Sequence, residues 1–127
     1  MTRKVSVDEM ADQIHLALQE YAKVASDDMK RIVKSTATSV KKEIQQNAPQ
    51  DSGDYKKSWA TKTTRENANL LEVTVHSKDR YQLAHLLEKG HAKRGGGRTR
   101  AFPHIAPAEA NGEEKLMSEL ERSLSDG

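Results

Sequence analysis

The stretch SVDEMADQIHLALQEYAKVASDDMKRIVKSTATSVKKEIQQN, residues 6–47, decides the fold. Apolar residues recur in it at Val7, Met10, Ile14, Leu18, Tyr21, Ala25, Met29, Ile32, Val40 and Ile44, with Thr36 keeping the stripe between Ile32 and Val40, and steps of three and four are the period of an amphipathic helix. Ser6, with Glu9 three residues on, has the pattern of a capping box at the start. Pro49 ends the run by pushing Ala48 out of the helical region. The reading is one long helix over 1–47. About 40 residues at 1.5 Å each reach roughly 60 Å, whereas a compact chain of this length has a radius of gyration of about 14 Å. Such a helix overhangs its domain and asks for another chain to cover it. Asp27 and Asp28 mark the place for a kink, and a hairpin of two shorter helices is the alternative.

Beyond the helix the chemistry changes. Pro49, Asp51, Ser52 and Gly53 are turn residues. Ser58–Arg65, rich in Trp and Thr, reads as a strand; Glu66–Asn69 reads as a polar turn and Leu70–His76 as the antiparallel partner, with Leu71, Val73 and Val75 inward. Two strands alone are marginal in water, so a third is needed, and Arg100–Ile105 is the candidate. Pro103 and Pro107 place that strand at the sheet edge. A short helix from Tyr81 stops at Gly90, which fits the left-handed position after a C-terminus. Pro107 opens a last helix with Leu116, Leu120 and Leu124 along one face. The fold class is therefore α+β: a long N-terminal helix on a small antiparallel sheet of about three strands, a short middle helix and a C-terminal helix. One domain covers 1–127, divided into the long helix (1–47), turn and hairpin (48–76), short helix, basic loop and edge strand (77–107), and last helix (108–127).

Between the two later helices lies a loop with the strongest functional signal. Lys89, Lys93, Arg94, Arg98 and Arg100 alternate with Gly95, Gly96 and Gly97, without one acid. The tail from Glu109 onward instead holds six acids against Lys115 and Arg122. Opposite charges on two segments suit head-to-tail contact between copies better than they suit a uniformly basic nucleic-acid binder. The candidate partner-binding residues are Lys89, His91, Lys93, Arg94, Gly95, Gly96, Gly97, Arg98, Arg100, Phe102, His104 and Ile105; Pro49, Asp51, Ser52, Gly53, Glu88, Gly90, Pro103 and Pro107 are candidate structural positions.

At 127 residues, 35% hydrophobic and 31% charged with net charge +2, the chain suits one soluble domain with a modest core. Without a long apolar run or a signal-like start, maturation in the cytoplasm and no membrane partner are expected. The absence of cysteine excludes disulfides and thiolate metal sites. His85, His91 and His104 raise the question of a metal, but His85 and His91 stand six apart across the helix stop, not four apart as on a metal-binding helix. GGGRT lacks the lysine of a phosphate loop, and Ser52 lies in DSG, not GxSxG. No catalytic residue, metal or cofactor is expected. Nucleic acid remains the competing partner for the Lys89–Arg100 loop, since cations neutralise phosphates, although Phe102 alone provides no stacking platform.

Three blocks then come in order: Ala48-Pro49-x-Asp51-Ser52-Gly53-x-Tyr55-x-x-Ser58; Tyr81 through Leu87-Glu88-x-Gly90-His91; and Pro103-His104-Ile105-Ala106-Pro107-Ala108. In this order the chain resembles the tail-completion, or head-tail joining, proteins of long-tailed bacteriophages and prophages. Tyr55 stands where a Leu is common in that family and His91 where many members carry Thr. The resemblance implies a structural virion protein of the neck or tail top, assembled in the host cytoplasm. It implies a homo-oligomeric ring, a hexamer, in contact with a major tail or tail-tube protein and a head-completion or connector protein. Nucleic acid enters that picture as DNA passing through the ring, and the resemblance carries no catalytic residue.

Overall fold

The structure, a computed structural model, describes residues 3–10, 13–20, 25–48, 53–90 and 92–126. The expected long helix is absent: the chain opens with a β-hairpin, β1 (Arg3–Met10) and β2 (Gln13–Glu20), paired antiparallel with Val5 opposite Leu18 and Val7 opposite Leu16. The reason lies in the side chains between the helix-spaced ones. Leu16, two residues from both Ile14 and Leu18, falls outside any stripe of threes and fours, and burial along β2 alternates strictly, with Ile14, Leu16 and Leu18 fully buried. A period of two is that of a half-buried strand. Ser6 is no cap; it lies within β1 opposite Ala17.

Helix α1 (Asp27–Asn47) begins where a kink was expected. The Ser26 hydroxyl accepts from the Met29 amide at 3.1 Å, and Asp27 and Asp28 occupy the first turn, where the helix dipole favours acids. Ala48 is already extended ahead of Pro49. With 21 residues α1 spans about 32 Å, so nothing overhangs and the argument that a second chain must cover it lapses. Met29, Val33, Ala37, Val40 and Ile44 form its buried stripe.

After α2 (Asp54–Ser58) come β3 (Trp59–Asn67) and β4 (Leu70–Ser77), the expected hairpin with its turn tightened to residues 68 and 69. The sheet has four antiparallel strands, not about three, in the order β1-β2-β4-β3. The N-terminal hairpin completes it, pairing β2 with β4 from Ile14 opposite Val75 to Gln19 opposite Leu70. Arg100–Ile105, expected as the third strand, contains none. Pro103 explains this, because it has no amide to offer a ladder.

Helices α1 and α4 (Ala106–Asp126) cover one face of this sheet, α1 chiefly over β4 and α4 over β1. Their approach is close: a Cβ on Gly112 of α4 would lie 2.5 Å from Val40 Cγ2 of α1. Leu116 and Leu120 of α4 enter the core, while Leu124, expected on the same face, stays exposed. The core joins Leu16, Leu18, Val33, Ile44, Leu71 and Val75 to Ile105 and Leu116, so strands and helices share one apolar interior. Among the described residues no helix is long and apolar enough to cross a membrane.

Candidate functional site

The short helix α3 (Tyr81–Lys89) buries Ala84 and Glu88 and exposes Leu83, Leu86 and Lys89. Glu88 is 6% exposed, an uncommon burial for a carboxylate, and its partners explain it. Oε1 accepts from the backbone amides of His104 at 2.7 Å and Ile105 at 2.8 Å; Oε2 accepts from that of Ala106 at 3.0 Å. A side chain from α3 thus supplies acceptors to the unpaired amides at the start of α4. His104, fully buried, donates from Nδ1 toward the Phe102 carbonyl at 2.6 Å, with Glu88 Oε1 at 3.0 Å from the same nitrogen. With the proton held there, Nε2 accepts from the Tyr55 hydroxyl at 2.5 Å. Tyr55 comes from α2 and stands edge-on to Trp59, their ring centroids 6.1 Å apart. Ser58 continues the tie, donating to the Tyr55 carbonyl at 2.6 Å and meeting the Ser77 hydroxyl at 2.7 Å.

This hub brings the three sequence blocks together: Tyr55 and Ser58 from the first, Glu88 from the second, His104 and Ile105 from the third. It also corrects two site assignments. His104 and Ile105, expected among the partner contacts, are both fully buried, and their task is internal. Tyr55, noted only for replacing a leucine, is the residue that sequence reasoning undervalued; its signal was a hydroxyl on an otherwise apolar position. Gly53 precedes α2 with φ 86°, whereas Pro49, Asp51, Ser52 and His91 lie outside the described residues.

The basic loop hangs from this hub. The Leu87 carbonyl accepts from the Phe102 amide at 2.7 Å, closing the loop at its base. Gly90 has φ 72° and ψ 172°, an extended conformation reserved for glycine and not the expected left-handed one. Its lack of a side chain is needed twice, since a Cβ there would sit 2.6 Å from the Thr99 carbonyl oxygen. The Arg98 guanidinium donates to the Gly90 carbonyl at 3.2 Å, and Ala92 bridges Arg98 antiparallel. The Lys93 amide donates to Gly97 O at 2.9 Å, with Gly96 and Gly97 at positive φ. The loop is therefore a small closed hairpin. It leaves Lys93, Arg94, Arg98 and Arg100 exposed, with the Arg100 guanidinium 5.3 Å over the Phe102 ring. Pro103 and Pro107 flank the buried His104–Ile105 pair from exposed positions.

A second polar cluster occupies the sheet face away from the helices. His15 Nδ1 and Thr74 Oγ1 are 2.8 Å apart, Thr64 donates to Glu72 at 2.8 Å, and Arg65 pairs with Glu72 at 2.9 Å. The Arg65 hydrogen bond holds the Glu72 carboxyl below the usual carboxylate range, outweighing its partial burial, and Glu72 in turn raises the Arg65 guanidinium. His15, Arg65 and Glu72 border a hollow of about 190 Å³ with Lys4, Ser6 and Gln19. At the start of α4, burial raises the Glu109 carboxyl, with further push from Glu9, Asp8 and Glu113. Among the described residues no three histidines or carboxylates gather as a metal would require.

No curated protein and no solved structure matches the chain. A family model matches residues 8–90, from the end of β1 through β2, α1, the first block and the other two strands to Gly90, the glycine that opens the loop; the third block lies beyond it. The chain belongs to the phage family described as "Bacteriophage HK97-gp10, putative tail-component".

Proposed function

We propose that the protein is a structural component of the phage neck or tail top, forming an oligomeric ring that completes the tail and joins it to the head connector. Membership of a phage tail-component family supports the setting. The observation that carries the docking role is the closed basic hairpin, fixed at its base by Leu87, Gly90 and Arg98 and presenting its cations outward. A fixed loop loses little conformational entropy when a partner meets it. The reading makes the chain a virion protein without catalysis or cofactor, with copies of itself, a tail-tube protein and a connector as partners.

The test is genetic and visual. A phage in which Lys93 and Arg94 are both replaced by Ser should yield full heads and finished tails that remain separate in negative-stain micrographs, while the variant protein stays folded. Joined, infectious particles at the normal level would exclude the loop from joining. A competing role in duplex DNA binding would show instead as tight binding that weakens steeply with salt.

A further inference from the structure

The exposed large hydrophobic side chains among the described residues are Leu83, Leu86, Phe102, Met117 and Leu124. Scattered singly, such residues need no explanation, but these fall into two groups. Leu83 and Leu86, three apart on the open side of α3, lie on the helix to which Phe102 is tied, its amide bonded to the Leu87 carbonyl. Lys89 continues the α3 face at the next step of three, and Arg100 lies over the Phe102 ring. This surface is apolar with a positive border.

The second group lies on α4. Ala108, Gly112, Leu116 and Leu120 turn to the core. On the opposite side Ala110, Glu114, Met117, Glu121 and Leu124 are all exposed. Their spacing alternates four and three, the seam of a helix that packs on another helix, yet among the described residues no element covers it. Here the apolar positions are separated by acids. The two surfaces therefore match in character and oppose in charge, as the faces of a heterologous contact do.

We infer that the outer stripe of α4, through Glu114, Met117, Glu121 and Leu124, docks on the α3 surface of a second copy of this chain, against Leu83, Leu86, Phe102, Lys89 and Arg100. This rests on the ring reading above and names the contact that would build it. Because the two surfaces differ, each subunit offers one and uses the other, so addition proceeds head to tail and closes if the rotation per subunit permits. Met117 and Leu124 fill the centre, and the four charges set the register.

The experiment uses the full chain and its assembly size by sedimentation velocity across a concentration series, with folding checked by circular dichroism. One variant carries Lys89→Glu and Arg100→Glu, a second Glu114→Arg and Glu121→Arg, a third all four. The unaltered chain should assemble. Each double reversal should raise the concentration needed by about tenfold or more, and the fourfold reversal should recover assembly. If the double reversals assemble like the unaltered chain, or the fourfold variant does not recover, the contact is wrong while the ring reading stands. If the unaltered chain stays monomeric at every concentration, alone and on isolated tails, the ring reading falls and this contact with it.

Discussion

Glu88 Oε1 accepts the backbone amide of His104 at 2.7 Å and faces the imidazole Nδ1 of the same residue at 3.0 Å. One buried carboxylate oxygen thus fixes both the main chain and the ring of His104, and with them the direction in which α4 departs. Replacing Glu88 with Ala leaves the amides of His104, Ile105 and Ala106 without their acceptor and should cost roughly 3 kcal/mol. Tyr55→Phe removes the partner of Nε2 and should cost about 1–2 kcal/mol. Because both act through His104, the two effects should combine non-additively. Denaturant titration of the two single variants and the double variant measures this.

Gly90→Ala should destabilise by roughly 2 kcal/mol, since a side chain is disfavoured at its backbone angles and meets the Thr99 carbonyl. Gly95→Ala, in open space and without a positive φ, should stay within about 0.5 kcal/mol. Equal effects in thermal unfolding would mean that the base of the loop is not fixed as described.

At the α1–α4 crossing, Gly112→Ala drives a methyl into Val40 and should cost about 2 kcal/mol. Adding Val40→Ala should return part of that loss, so the double variant unfolds later than the sum of the single variants requires. Simple additivity would show that the helices do not approach through this pair.

Glu109 gives a pH-dependent expectation. Its folded carboxyl is raised by burial and by Glu9, Asp8 and Glu113, so the folded state holds its proton more tightly than the unfolded chain. Its relative contribution is then fully present below the unfolded value, near pH 4.3 for a free Glu at about room temperature, and is lost as pH rises through the folded value. Glu109→Gln should therefore raise the melting temperature at neutral pH and have a smaller effect in acid. The amide keeps an acceptor, so a gain that persists unchanged at low pH would point to packing and not to charge.

The legible parts of the fold were those with one pattern to read. Leu70–Ser77 alternates cleanly with turn residues before it, α3 is stopped by Gly90, and the proline-framed PHIAPA opens α4. The N-terminal hairpin was hidden because Met10, Ile14 and Leu18 satisfy a helical step of four while Ile14, Leu16 and Leu18 satisfy a strand step of two. Only the pairing of β2 with β4 decides between them, and that is a contact made across more than fifty residues of chain. The same is true of the hub: nothing local to Tyr55 or Glu88 announces His104, and the bonds among them appear only once the strands and helices have closed. The exposed cations of the loop, by contrast, were readable directly, since charge without an acid nearby needs no fold to interpret.

The closed base of the basic hairpin makes residues 95 and 96 a splice point. The Phe102–Leu87 and Arg98–Gly90 bonds hold the two ends of the segment together, and a Cβ at either Gly95 or Gly96 would meet open space. A short peptide inserted between them would be carried outward without entering the core. An epitope or a gold-binding sequence placed there would report where this subunit sits in an intact particle.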